Sequence, residues 1–326
     1  MAVPSPHHEA VPTVSVIVCA YADLRWPVFV DAVASVRDQR PAPLELIIVI
    51  DHNEELLART RAAFPDAVVL ANGQQRGLSG ARNTGLARAR GEIVAFIDDD
   101  ARARPGWLAA LTRAYRDDRV IGTGGVVVPR WEADRPAWFP DEFLWVVGCS
   151  YRGLPRDAGP IRNPLGTNMA FRRAPCVAVG GFSNGIGRVG RTPLGCEETE
   201  LAIRLRAAHD DTTIVQALDA TVDHVVVAER ARWRYFHARC WSEGISKALV
   251  AASVGREPAL ASERAYAVRT LPIGVLRGLR DVLRGDPSGL RRAAVIVAGL
   301  AITTAGFVRG MAAIAVDGVG ASEKSA

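Results

Sequence analysis

The chain has 326 residues, room for one large or two ordinary domains, and at 49% hydrophobic and 23% charged it reads as folded, which excludes a disordered chain. Basic residues outnumber acidic ones 40 to 35 and the arginines are spread along the sequence, so contact with phosphates or lipid headgroups is allowed and no nucleic-acid partner is expected. The five cysteines, Cys19, Cys149, Cys176, Cys196 and Cys240, fall in no CxxC or zinc spacing, which predicts reduced thiols in a cytoplasmic protein.

The opening "MAVPSPHHEAVPT" has neither a basic start nor an apolar stretch, so residues 1–12 are expected to be a disordered tail and no secretory signal. "VSVIVCAY", Val14 to Tyr21, is nearly all apolar and β-branched, as a strand buried on both faces of a parallel sheet requires. A helix is predicted from Pro27 to Arg37, a strand from Leu44 to Ile50 ending on Asp51, a helix from Glu54 to Ala63 and a strand from Ala67 to Ala71. "RGLSGARNTGLARAR" is glycine-punctuated and then helical, with Ser79 as its expected cap. "EIVAFI" is the fourth strand, and it stops at Asp98, Asp99 and Asp100. This alternation predicts an α/β doubly wound sheet with ligands at the carboxyl ends of its strands, where Tyr21, Asp51 and Asp98 to Asp100 all fall.

A helix follows Trp107, then the strand "VIGTGGVVVPRW" and a long Pro-, Trp- and Gly-rich stretch, Glu132 to Pro164, read as a functional loop region. A strand from Gly166 to Arg173 precedes a helix opened by Glu197, Glu198 and Glu200, acids that suit a positive helix N-terminus. "TVDHVVVAER" is a strand carrying His224, and after Arg230 the pattern is helical only. Ala293 to Val308 holds no charge and is flanked by Arg291, Arg292 and Arg309. Its 16 residues fall short of the roughly 20 that span a bilayer, which leaves a buried helical hairpin and an interfacial membrane anchor as the two readings. Residues 319–326 are expected to be a disordered tail.

Three adjacent carboxylates repel, and crowding raises the pKa of at least one of them. A divalent cation removes the cost, and hard cations such as Mg2+ and Mn2+ take few carboxylates plus phosphate oxygens. The loop after the fourth strand is therefore read as a site for a metal that holds a diphosphate. Arg82, beside Gly80 near a helix N-terminus, is read either as a partner for phosphate charge or as a surface salt bridge.

Together, "VSVIVCAY", "IIVID", "GLSGARNTGLARARGEIVAFIDDD" and "EETELAIRL" resemble the family 2 glycosyltransferases of GT-A fold, over Val14 to Arg230. The resemblance implies a mixed sheet flanked by helices in a catalytic domain, 13–230, followed by a helical C-terminal region, 231–318. It implies a nucleotide-sugar donor, most often a UDP-sugar, and a divalent cation, Mn2+ or Mg2+. Asp51 matches the position that contacts the base, and Tyr21 lies where the first strand meets it. Asp98 matches the acid facing the ribose and metal, Asp100 the metal ligand, and Asp99 the residue between them. "CEETELAIRL" is similar to the family's ED motif with Glu198 in place of the usual aspartate. Glu198 is favoured as the base of an inverting transfer, with Glu197 the alternative. Family members often place a histidine after the acidic helix, which implies that His224 completes the metal shell and favours Mn2+. Asp223, on the other strand face, is not expected to be a ligand.

Trp138, Trp145 and Tyr151 are read as acceptor-pocket or core residues. Their segment, with "IRNPLGTNMAFRR", is similar to enzymes that glycosylate polyprenyl- or dolichyl-phosphate-linked sugars, archaeal glucosyl-dolichyl phosphate glucuronosyltransferases among them. A QxxRW motif is absent, which points to transfer of single sugars. The resemblance thus implies a lipid-linked or polysaccharide acceptor and a protein peripheral to the inner face of the cell membrane. A nucleotidyltransferase and a non-catalytic nucleotide-sugar binding protein are the alternatives. The first lacks the expected Gly-rich phosphate loop after the opening strand.

Overall fold

The computed structural model describes residues 12–188, 194–255, 260 and 263–323. Residues 1–11 of the expected N-terminal tail lie outside them. Four strands open the chain in parallel: β1 (Val14–Ala20), β2 (Glu45–Ile50), β3 (Val68–Ala71) and β4 (Ile93–Asp98). Helices α1 (Trp26–Arg37), α2 (Glu54–Ala63) and α3 (Leu78–Arg88) connect them. Alternate residues of β1 enter opposite cores, Val16 and Val18 on one side and Ile17 on the other, and β4 divides Ala95 and Ile97 from Val94 and Phe96 in the same way. A sheet covered on both faces is what unbroken apolar runs require.

The start of α3 departs from expectation. Gly77 is its cap, at φ 127°, a conformation a serine adopts only at a cost. Ser79 lies inside the first turn and donates its hydroxyl to the Ile186 carbonyl at 2.7 Å.

Beyond β4 come β5 (Ala101–Ala103), α4 (Trp107–Thr112), β6 (Val120–Trp131), β7 (Pro160–Ile161), β8 (Asn168–Arg172), α5 (Arg173–Ala178), α6 (Glu197–Ala208) and β9 (Thr213–Val226). The sheet runs β3-β2-β1-β4-β8-β6-β9-β5, with β7 on β9. β8 is antiparallel to both β4 and β6, so the sheet is mixed, as the family resemblance implies, and not doubly wound throughout. Trp107, at the start of α4, donates its indole N–H to Asn168 Oδ1 in β8 at 2.8 Å.

After Val226 the described residues are helical: α7 (Trp233–Val254), a π-helical turn (Tyr266–Thr270), α8 (Leu271–Leu283) and α9 (Ser288–Glu323). Trp138 and Phe139 pack edge-on against Phe236, which fastens α7 to the sheet domain. α9 crosses α7 with backbones nearly touching: a Cβ at Gly244 would stand 2.1 Å from the Thr303 carbonyl oxygen, and one at Gly306 2.2 Å from that of Trp241. The apolar segment expected to be too short for a bilayer is part of a longer helix. Ser288–Val316, 29 residues, is long and apolar enough to cross a membrane by length and composition alone. The helix also runs on to Glu323, into the expected tail. Gly318 and Gly320 are the weak helix formers there, and an established helix tolerates each at about 1 kcal/mol.

Candidate active site

Because β1, β2 and β4 are parallel, their carboxyl ends share one edge, which gathers Tyr21, Asp51 and Asp98. The chain then reverses at once into β5, antiparallel to β9, with Ala101 paired to His224. That register sets Asp100 against His224: the Val225 amide donates to the Asp100 carbonyl at 2.9 Å, and His224 Nε2 lies 3.0 Å from Asp100 Oδ1. One ligand atom each from Asp98, Asp100 and His224 falls within 4.8 Å of the others. Two carboxylates and an imidazole on a buried edge form a donor set for a divalent cation. Asp223 does face the other way, tied to Arg104 at 2.6 Å.

Asp99 turns aside. Its Oδ1 accepts from Arg25 at 2.9 Å, while its buried Oδ2 has no hydrogen-bond partner among the described residues. Burial, opposed by Arg25 and helped by Asp100 and Asp98, pushes its pKa up to about 6. Asp100 also meets Arg25 and Arg230, each at 3.1 Å. Burial works against its charge, but His224, Arg230 and Arg25 hold it well below the usual carboxylate range. For His224 the same pairing outweighs burial and raises its pKa to about 10. Sequence reasoning missed Arg25 and Arg230. Their one signal is position, each in a short helical turn just after β1 or β9, near Tyr21 and His224.

Arg82 is no surface salt bridge. It is 2% exposed and joins the two acidic segments, donating to Glu197 Oε1 at 2.7 Å, Asp98 Oδ1 at 3.3 Å and the Gly166 carbonyl at 2.9 Å. Glu197 is buried in this ion pair. Half-buried Glu198, next in the first turn of α6, accepts from Thr199 Oγ1 at 3.2 Å, and no cation among the described residues lies within ion-pair distance. Burial first, then the Glu197 charge, raises its pKa to about 8. Asp51 accepts from Asn72 at 2.7 Å and from the Gly77 amide at 3.0 Å, which ties β2 to the start of α3. Tyr21 stays exposed, with the Arg25 guanidinium 5.6 Å from its ring centre.

One cavity of about 910 Å3 is lined by every one of these predicted residues: Tyr21, Asp51, Arg82, Asp98, Asp99, Asp100, Glu197, Glu198 and His224. Trp145 and Tyr151 line it too; Trp138 does not, and serves the core. The cavity extends from the strand edge to the C-terminal helices, past Tyr266 and Leu271 to Leu300 and Phe307. Its volume suits a ligand of nucleotide-sugar size.

The description "Glycosyl transferase family 2" matches residues 15–180. The glucosyl-dolichyl phosphate glucuronosyltransferase of Haloferax volcanii is 37% identical over 238 residues, 72% of this chain and 76% of that protein. The chain belongs to glycosyl transferase family 2. It is an enzyme class, and the nucleotidyltransferase alternative falls with the match. Mouse polypeptide N-acetylgalactosaminyltransferase 15 is 36% identical over 177 residues, 48% of this glycosyltransferase and 27% of that protein. Among solved structures, the mannosyltransferase PcManGT of Pyrobaculum calidifontis, in complex with GDP-Man and Mn2+, superposes with a TM-score of 0.56 at 19% identity. It covers 90% of this chain and 88% of its own, and establishes the GT-A fold.

Proposed function

We propose that this glycosyltransferase moves a single sugar from a nucleotide-sugar donor, a UDP-sugar, to a lipid-linked acceptor at a membrane surface, with inversion at the anomeric carbon. One observation carries the reading: a single cavity holds both the Asp98–Asp100–His224 donor set and Glu198, a carboxylate that forms no ion pair among the described residues and whose pKa is raised to about 8. The Haloferax relative, named for action on glucosyl-dolichyl phosphate, supports the acceptor class, and the GDP-Man and Mn2+ of the mannosyltransferase complex support the donor class and the metal.

Asp98, Asp100 and His224 would hold the cation, His224 giving up the proton it otherwise keeps against Asp100, and the imidazole among the donors would favour Mn2+. When bound, it supplies positive charge to a departing nucleoside diphosphate. Arg25 and Arg230 add fixed charge beside the same acids. Tyr21 and Asp51, at the open strand edge, receive the nucleoside. Glu198 takes the proton of the acceptor hydroxyl as its oxygen attacks the anomeric carbon. A pKa near 8 makes it a stronger base than an ordinary glutamate. Arg82 holds the Glu197 carboxylate beside Glu198 through a 2.7 Å hydrogen bond, and that neighbouring charge helps raise the pKa of Glu198.

The test is a panel of nucleotide sugars incubated with the protein and a membrane lipid extract, with and without Mn2+, following release of nucleoside diphosphate. Metal-dependent release from one donor is expected. Inertness toward every donor with the lipid extract present would overturn the reading.

A further inference from the structure

The outer side of α9 breaks the rule that a helix on a protein surface shows its charges to water. Leu290, Ala294, Val297, Ala301, Ala305 and Val308 form an exposed stripe at helical spacing, and no charge interrupts it between Arg292 and Arg309. Leu290, Val297 and Val308 are each about 60% exposed, at 58%, 59% and 61%. The neighbouring α8 adds Ile273, Leu276, Leu279 and Leu283, all exposed. Apolar surface this continuous marks a docking site.

Charge identifies the occupant. Arg269, Arg280, Arg284, Arg291 and Arg309 are exposed around the stripe and enter no ion pair among the described residues. Asp281 and Asp286, acids beside the α8–α9 turn, are both taken by Arg292, at 2.8 and 2.7 Å. An apolar face ringed by free arginines complements an anionic lipid surface. A second copy of the chain would press like charges together across a two-fold contact. Spanning the bilayer is also disfavoured, since a crossing helix needs lipid around it over about 30 Å. Here the inner side of α9 is held against the protein at Gly289, Gly299, Gly306 and Gly310, where an added Cβ would meet α8, Phe143, Trp241 and Ala248.

The cavity reaches this same face. Arg269, Leu300 and Thr304 both line it and are exposed. We propose that the outer faces of α8 and α9 seat the protein flat on an anionic lipid surface, with the cavity mouth at Arg269, Leu300 and Thr304 turned to the lipid. The mouth rests on the lipid-linked acceptor reading above; the seat stands without it.

Flotation of the full chain with vesicles tests the seat in the absence of donor and acceptor, so its failure leaves the reaction assignment standing and inert donors leave the seat standing. The protein is expected to float with vesicles of equal parts phosphatidylglycerol and phosphatidylcholine at least about tenfold more than with phosphatidylcholine alone. The double variant Leu276→Glu, Val297→Glu, at exposed positions outside the cavity, is expected to lose at least about tenfold of that binding with its melting temperature unchanged. No flotation of the wild type, or flotation that survives the double variant, overturns the seat. So does a dimer in lipid-free buffer that the double variant dissolves, because the face would then join copies of the chain. For the mouth, Leu300→Trp is expected to raise KM for a long-chain acceptor lipid and not for its short-chain analogue; an equal rise in both overturns it.

Discussion

The two adjacent glutamates of α6 have different surroundings, and isosteric swaps separate their roles. Glu198→Gln removes the acceptor base, and transfer is expected to fall about 10²- to 10⁴-fold while donor affinity is kept. The same swap alters stability with a definite sign. Glu198 holds its proton up to about pH 8 in the folded chain, whereas its ordinary pKa is 4.5. Between those values the unfolded chain releases a proton that the folded one keeps. Stability present on the acid side is therefore lost as pH rises through the window, by at most about 1.4 kcal/mol per pH unit. A glutamine at this position carries no such loss, so the variant should gain melting temperature on the wild type between about pH 5 and about pH 8. Glu197→Gln does the opposite. It weakens a 2.7 Å charged hydrogen bond from buried Arg82, at a cost of about 1.5–3 kcal/mol. It also removes the like charge beside Glu198, which should move the acidic limb of the pH–rate profile downward. Urea unfolding and initial rates across pH read both effects. Normal transfer by Glu198→Gln, or an unmoved limb in Glu197→Gln, would refute the division of roles.

The wild-type rate itself should climb with pH through an apparent pKa near 8, because the base must be ionised to accept a proton; a profile flat from pH 6 to 9 contradicts this. Asp100→Ala should abolish Mn2+-dependent release of nucleoside diphosphate, and calorimetry should show Mn2+ binding lost with it. Gly244→Ala forces a methyl group onto the Thr303 carbonyl at the α7–α9 crossing, and should cost about 1–3 kcal/mol in urea unfolding. Trp107→Phe strands the buried Asn168 Oδ1 that its indole N–H now satisfies at 2.8 Å, with an expected loss of about 1–3 kcal/mol.

What could be read from the residues alone follows from which contacts are local. The β1 and β4 runs are almost wholly apolar because both faces are covered, with Ser15 the buried polar exception in β1, so these strands and their charged ends stand out in the sequence. β8 is buried along most of its length, yet its antiparallel course is invisible, because burial pattern does not encode direction. The Gly77 cap of α3 was hidden behind a better-looking serine, since only the folded backbone reveals a φ of 127°. His224 stood out through family resemblance; what puts it beside Asp100 is the Ala101–His224 register, a pairing between segments far apart in sequence. Arg25 and Arg230 were illegible for the same reason. They reach the aspartates across 74 and 130 residues, in a chain whose many arginines look alike.

Those two arginines explain how the fold accommodates three consecutive aspartates. Asp98 lies against Arg82, Asp99 against Arg25, and Asp100 against Arg25, Arg230 and His224. Each acid thus has a cation supplied by a different part of the chain: the loop after β1, helix α3, or the segment ending β9. A buried carboxylate left without such a partner gives up its charge or destabilises the fold. Asp99 is the member closest to that limit, with one oxygen unpartnered among the described residues and its pKa pushed up to about 6. Arg82 carries the arrangement furthest, because the guanidinium that steadies Asp98 also holds Glu197 beside Glu198. The strand-end acids and the α6 acids therefore share one electrostatic network, and a change at either end is felt at the other through a single buried side chain.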